Sequence, residues 1–229
     1  MGKRYSLFAM ALAIYLAPVV ADAAPWYARG EFNNWGTDNQ MSETAPGSNV
    51  FKTTVGGLAP GTRFEFKVAS SDWTTSFPAN NARVYSDAAG NITFFYYAGD
   101  QGGGGNPTAD RVGYADPGIG WELMGSFDNW TNPTSMTGPG NGVYTANMPL
   151  VGGANYEFKF RKAGDWGLNI GQSFANDGPN AAFTPPTTDT YRFQLDLGNG
   201  AWSVAAVPEP AFLGAASLSL LARRRRRTD

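Results

Sequence analysis

The chain has 229 residues, with 29 Gly, 15 Pro, 14% aromatics, no Cys and no His. That composition excludes a disulfide framework, a thiolate metal site, a His-ligated zinc and a Ser-His-Asp triad. Lys3, Arg4 and Arg223 to Arg227 stand at the ends, leaving 10 basic against 16 acidic residues between positions 24 and 206, a net of −6. Such a body lacks the clustered Lys and Arg that a phosphate backbone requires, so nucleic acid is not an expected partner.

Residues 1–23 read as a secretory signal peptide. Lys3 and Arg4 form a positive start, Leu7 to Val20 an apolar run, and Ala21-Asp22-Ala23 a small-x-small cleavage site. The apolar run is short of the ~20 residues that a spanning helix needs. The mature chain is therefore expected to begin at Ala24.

The middle of the chain is a repeat. Trp26-Tyr27-Ala28-Arg29-Gly30-Glu31-Phe32-Asn33-Asn34-Trp35 aligns with Trp121-Glu122-Leu123-Met124-Gly125-Ser126-Phe127-Asp128-Asn129-Trp130 at an offset of 95, which Met41 and Met136 keep. Glu65-Phe66-Lys67 aligns with Glu157-Phe158-Lys159 at 92, Asp72-Trp73 with Asp165-Trp166 at 93, and Asn81 with Asn180 at 99. A unit this long is a whole domain used twice rather than a solenoid repeat. Within each copy the apolar residues alternate. Phe64, Phe66 and Val68 point one way in the first, and Tyr156, Phe158 and Phe160 in the second; Tyr191, Phe193, Leu195 and Leu197 mark a later strand, and Trp202 to Ala205 the last. Short strands separated by Gly, Pro, Asn and Asp, with no helical period in the body, predict an all-β chain of two tandem immunoglobulin-like β-sandwiches. Between the copies, Gly99 to Ala109 reads as a long glycine-rich loop. Asp110 to Tyr114 reads as the last strand of the first copy, with the boundary near Asp116.

The tail reads Val207-Pro208-Glu209-Pro210, a 12-residue apolar stretch from Ala211 to Ala222, then five arginines. It resembles the PEP-CTERM sorting signal of Gram-negative bacteria that make exopolysaccharide. That resemblance implies a C-terminal sorting helix, transient insertion in the inner membrane, cleavage near Pro208, Glu209 and Pro210 by an exosortase-type processing enzyme, and passage to the outer surface or extracellular matrix. An apolar stretch closed by a cationic cluster halts with the arginines in the cytoplasm, though 12 residues are few for a full span. The organisation expected is thus a signal peptide at 1–23, β-sandwich modules at 24–116 and 117–206, and a sorting tail at 207–229.

The repeated pattern, Gly-x-Phe-(Asn/Asp)-Asn-Trp, Met, Glu-Phe-Lys, Asp-Trp and Asn, resembles the starch- and glycogen-binding modules of the isoamylase N-terminal type, including the glycogen-binding domain of AMP-activated protein kinase. The resemblance implies carbohydrate contacts at Trp35, Lys67, Trp73 and Asn81, and again at Trp130, Lys159, Trp166 and Asn180. The chemistry is consistent with it. A sugar ring has an apolar C–H face and a rim of hydroxyls, so it binds where a rigid aromatic plane meets a few placed donors. Lys67 and Lys159 lie on the outward register of their strands, and Trp73 and Trp166 follow in turns opened by an aspartate. Trp35 and Trp130 fit either a core position at a strand-to-loop junction or a stacking surface, whereas Phe32 and Phe127 read as core.

Three classes of function follow. Non-catalytic binding of α-glucan or exopolysaccharide at the cell surface leads, because paired Trp and Lys recur at turn edges, where a spacer needs neither. A structural surface or biofilm-matrix protein with no specific glycan site is the alternative. A glycosidase would need a carboxylate pair and a catalytic-sized domain, and the two copies fill the body; no enzyme, cofactor or metal site is expected. If both ends are addresses, protein extracted from the surface of the native host should have an intact mass lacking residues 1–23 and Arg223 to Arg227. A mass that retains the arginines would exclude sorting of this kind.

Overall fold

The computed structural model describes residues 25–99, 110–138, 142–172, 174 and 177–208. The signal peptide, the 100–109 loop, Glu209, Pro210 and the apolar tail lie outside the described residues. The first copy contains β1 (Trp26–Gly30), β2 (Ser42–Glu43), β3 (Val50–Val55), β4 (Arg63–Ser70), β5 (Ser76–Tyr85), β6 (Ile92–Tyr97) and β7 (Arg111–Tyr114). They form two sheets, β1-β4-β5 and β2-β3-β6-β7. The second contains β8 (Trp121–Gly125), β9 (Thr134–Ser135), β10 (Val143–Leu150), β11 (Tyr156–Lys162), β12 (Asp165–Ile170), β13 (Ala181–Phe183), β14 (Asp189–Asp196) and β15 (Ala201–Ala206). Its sheets are β12-β11-β8-β9, with β13 also on β11, and β10-β14-β15. The described residues are all-β, with the tandem sandwiches that the alternation predicts.

The alternating residues fill the interiors. Phe66, Val68, Phe94 and Tyr96 are buried in the first copy, and Phe158, Phe160, Phe193 and Leu195 in the second. Burying one such side chain is worth about 1.5–3 kcal/mol. Phe32 and Phe127 pack on these cores, with ring centroids 5.2 Å from Phe94 and 6.2 Å from Phe193. The glycine of Gly-x-Phe permits this. A Cβ on Gly30 would strike the Glu65 carbonyl and sit 2.7 Å from Phe32 Cε1, and one on Gly125 would lie 2.8 Å from the Glu157 carbonyl.

The drift in repeat offset has a structural cause. In the first copy one long strand, β5, pairs β4 in two stretches, Arg63–Phe66 with Tyr85–Ala82 and Val68–Ala69 with Phe77–Ser76, around a register shift. In the second copy these stretches are separate strands. β12 pairs the end of β11 and β13 its start, and Gly171 to Asn180 lies between them. The extra residues fall in that connection, where insertions are tolerated.

The two copies pack against each other. The Tyr114 N–H donates to the Leu197 carbonyl at 3.0 Å, and the Tyr97 hydroxyl donates to the Gly198 carbonyl at 2.7 Å. The Tyr114 and Phe174 rings meet edge-on at 5.8 Å. Two backbones touch here because their residues are glycines: a Cβ on Gly113 would lie 2.7 Å from the Leu197 carbonyl, and one on Gly200 would overlap the Val112 carbonyl. Gly200→Ala should therefore lower stability by about 1–3 kcal/mol, as overpacking does. Gly61→Ala is the control, since both glycines have positive φ (+59° and +65°) but nothing lies within 4 Å of a Cβ on Gly61. Urea unfolding of the two variants separates the clash from the backbone preference; equal losses would exclude a tight junction.

Candidate functional site

Each copy presents two tryptophans at the edge of one sheet face. The first comes from the turn after the opening strand. In both copies a single 3-10 turn, Glu31–Asn33 or Ser126–Asp128, follows the glycine and ends in a left-handed asparagine, Asn34 or Asn129. The next residue is the tryptophan, also left-handed, at φ +61° for Trp35 and +62° for Trp130. The same backbone bond closes both turns, from Trp35 N to the Gly30 carbonyl at 2.8 Å and from Trp130 N to the Gly125 carbonyl at 2.9 Å. The residue that varies between Asn and Asp is a local brace. Asn33 Oδ1 accepts from Gly30 N at 2.9 Å, and Asp128 Oδ1 accepts from Trp130 N at 3.0 Å.

The second tryptophan comes from the turn after the central strand. Asp72 Oδ1 accepts from the Ser70 hydroxyl at 2.7 Å and from the Thr74 hydroxyl and N–H at 2.9 and 3.1 Å. This holds Trp73 at φ +65°. In the second copy Asp165 Oδ1 accepts from Gly167 N at 2.7 Å, across Trp166. Three of these four tryptophans sit in the left-handed region. For a bulky residue that costs roughly 1–2 kcal/mol, and such strain persists only where the surroundings enforce it.

The turns bring the rings together. Trp35 and Trp73 have centroids 6.2 Å apart with planes at 43°, and Trp130 and Trp166 stand at 6.2 Å and 48°. Trp35 and Trp130 are half-buried, and Trp73 and Trp166 are 40% and 42% exposed. Among the described residues, the only other large apolar side chain so exposed is Val151. The alternatives for Trp35 and Trp130 resolve to an intermediate state: each ring is the inner wall of a two-ring cradle.

Beneath each outer indole lies a guanidinium. Arg29 Cζ is 4.0 Å from the Trp73 ring centroid and Arg161 Cζ is 4.8 Å from that of Trp166. Arg29 is buried and ties both turns of its copy together. Its Nε donates to the Trp35 carbonyl at 2.7 Å, and its Nη1 to the carbonyls of Ser70 and Ser71 at 3.1 and 3.0 Å. Arg161 is held by Glu122 at 2.9 Å. Sequence reasoning missed both arginines, because they do not occupy matched positions. Met124 stands where Arg29 would be and Ala69 where Arg161 would be, so the repeat comparison carried no signal.

The lysines and asparagines take up the sheet face beside the indoles. Arg29 lies opposite Lys67 in the β1–β4 ladder, so the two share a face; Arg161 and Lys159 share theirs as i and i+2. The sequence reading expected solvent-facing lysines, and both are half-buried instead. Lys67 Nζ donates to the carbonyls of Pro78 and Ala79 at 2.6 and 2.8 Å, which uses two of its three hydrogens. Lys159 Nζ donates to Asn169 Oδ1 at 2.9 Å. Burial lowers the pKa of both, and Asp177 partly opposes this at Lys159. Asn81 and Asn180, despite their shifted offset, make the same bond, from Nδ2 to Glu65 Oε2 at 3.0 Å and to Glu157 Oε2 at 2.9 Å. All eight expected residues thus fall into two matching groups of four. Among the described residues no group of three or more His, Cys, Asp or Glu could hold a metal.

No family model matches the chain, and no curated protein matches it. Among solved structures it is similar to SusF from Bacteroides thetaiotaomicron, at 15% identity and a TM-score of 0.35 over 81% of this chain and 49% of that one. It is also similar to a pullulanase from Bacillus acidopullulyticus, at 13% identity and 0.30 over 81% of this chain and 28% of that one. The chain spans about half the length of the first and under a third of the second. Likeness at this level carries nothing about the site.

Two outcomes test the local geometry. Trp73→Gly should be more stable than Trp73→Ala by about 0.5–1 kcal/mol, since glycine accepts φ +65° without strain. Thermal melts of the pair decide it; alanine equal to glycine would mean the turn relaxes. Asp72 is lowered from 3.8 to about 2, first by the Ser70 hydroxyl and then by Thr74. A carboxyl depressed on folding stabilises the fold above its unfolded value and loses that contribution as pH falls through its folded one. The Trp73 turn should therefore loosen between about pH 4 and 2. Carbon-13 titration of the Asp72 carboxyl should give a midpoint near 2, and Ser70→Ala should raise it.

Proposed function

We propose that the chain is a non-catalytic polysaccharide binder with one α-glucan-type site in each copy. The observation that carries this reading is the same tilted pair of indoles, one ring exposed, built twice at 6.2 Å from different bracing residues. Coplanar rings suit a flat, ribbon-like glycan. Rings inclined at 43–48° suit successive sugars that turn relative to one another, as they do in a coiled α-glucan or in a curved exopolysaccharide. Lys67 keeps one hydrogen and Asn81 its amide oxygen for the hydroxyl rim, and Asn180 is placed alike. Arg29 and Arg161 fix the rings beforehand, so little side-chain freedom is lost on binding.

Glu65 supports the non-catalytic part of the reading. Asn81 and Arg83 occupy its two oxygens, and these contacts hold its carboxyl below the usual range, Asn81 most of all and against the effect of burial. A carboxylate kept ionised and fully engaged is a poor general acid. Export through the signal peptide, exosortase processing of the tail and display at the surface complete the proposal, on the strength of residues 1–23 and 207–229. The packing of one copy on the other favours a second reading, a rigid surface or matrix spacer.

Native gels containing amylopectin, glycogen, dextran or cellulose distinguish the two. Retardation is expected with the branched α-glucans. Trp73→Ala or Trp166→Ala should each weaken a site by about ten- to a hundredfold, the scale of one stacking aromatic. Bivalency should soften either single change, and the double change should abolish retardation with the circular dichroism intact. A folded double mutant that migrates like wild type on every glucan would favour the spacer.

A further inference from the structure

The two copies differ at one position in a way that the site itself does not explain. Opposite Glu65 in the first copy stands Arg83, and opposite Glu157 in the second stands Ala182. Arg83 Nε donates to Glu65 Oε1 at 3.0 Å, while its Nη1 leaves the first copy and donates to the Gly167 carbonyl at 2.7 Å. Gly167 is the residue after Trp166. The same Nη1 lies 3.8 Å from Asp177 Oδ2. Asp177 Oδ1 accepts from Asn169 Nδ2 at 2.7 Å, and that amide also donates to the Trp166 carbonyl at 2.9 Å. Asn169 Oδ1 in turn receives Lys159.

The contact is not isolated. Asn81, Arg83 and Tyr85 alternate along β5 and so share one face. The Tyr85 hydroxyl meets Asp165 Oδ2 at 3.3 Å, and Lys162 Nζ lies 5.3 Å from the Tyr85 ring centroid. The β11–β12 hairpin that carries Trp166 thus rests on the sheet face of the first copy that carries Asn81. Polar contacts run without a break from Asn81 through Glu65, Arg83, Asp177 and Asn169 to Lys159.

We infer that Arg83 is a positioning residue for the second site, so that the two cradles form one coupled binding unit rather than two independent modules. The inference rests on the glycan-binding reading for its ligand, but the coupling itself is a property of the ligand-free protein. A guanidinium suits the task because its rigid fork can hold a carboxylate and a carbonyl at once. An ammonium carries all its donors on one atom and cannot reproduce the separation between Nε, on Glu65, and Nη1, on the Gly167 carbonyl.

The experiment follows the indole N–H resonances of the full exported protein, labelled with nitrogen-15 at tryptophan, before and during titration with maltoheptaose. Arg83→Met should shift the Trp166 indole in the free protein. It should also weaken the dissociation constant read at Trp166 by about two- to thirtyfold, with the smaller change at Trp73. Arg83→Lys should recover less than half of the loss. Should Arg83→Met fail to fold, Arg83→Gln, which keeps an amide donor beside Glu65 but is too short to span to the Gly167 carbonyl, should shift the Trp166 resonance the same way. If neither variant moves Trp166, free or titrated, or if lysine restores it fully, the coupling is overturned. If wild type shows no response to the oligosaccharide, the glycan reading fails, while the ligand-free shift at Trp166 still decides the coupling.

Discussion

A guanidinium beneath an indole is the contact on which the rest of this surface depends. An exposed tryptophan at the tip of a turn gains little from the core, and its two rotatable bonds leave it many orientations. A cation on one face of the ring is worth about 0.5–1 kcal/mol at exposed sites and more where desolvated. In the first copy the gain exceeds that pair alone. Arg29 is buried among the carbonyls of Trp35, Ser70 and Ser71, so the atom group that supports Trp73 also fixes where the first turn ends and the second begins. With one face taken by the arginine, the ring has a single face left for a ligand. The second copy reaches the same arrangement from the neighbouring strand, through Arg161 and Glu122.

The strain in the turns points the same way. Left-handed tryptophans at positions 35, 73 and 130 oppose folding by a few kcal/mol together. Their turns are braced beyond what a loop needs for continuity: the Asp72 carboxylate takes three hydrogen bonds within five residues. Stability elsewhere, in cores built of Phe66, Phe94, Phe158 and Phe193, offsets this. Holding a surface aromatic in an unfavourable backbone conformation reduces the entropy that a ligand must otherwise remove. Folding stability is exchanged here for preorganisation.

The sheets were legible in the sequence where burial on one face imposes a period of two, as it does along β6 and β14. Phe66 and Val68, or Tyr191 to Leu197, identify their face at sight. The four tryptophans and two lysines were legible because they recur in register. The asparagines recur out of register, and only the splitting of one strand into β12 and β13 explains why Asn180 still meets Glu157 as Asn81 meets Glu65. What could not be read was anything achieved differently in each copy. Arg29 and Arg161 perform one task from unmatched positions, and a comparison of repeats discards unmatched residues. The depth of the lysines was hidden for a related reason. Alternation tells which side a side chain leaves the sheet, not whether a carbonyl such as that of Pro78 waits there to receive it.

The junction changes what two sites on one chain can accomplish. Modules on a flexible linker gain avidity from an effective concentration set by linker length, and they adapt to whatever spacing the ligand offers. Here the glycines at 113 and 200 bring two backbones into contact, and the Trp166 hairpin lies on the face of β5. That packing removes the adaptability and with it the entropy of searching. A docked pair gains most from a ligand whose own repeat matches its fixed spacing, and gains little from one that does not. On the proposed glycan-binding reading, discrimination between polysaccharides comes from geometry at two levels, the tilt within each cradle and the interval between cradles. Arg83, the residue inferred to set the second level, has no counterpart in the second copy, where Ala182 stands opposite Glu157.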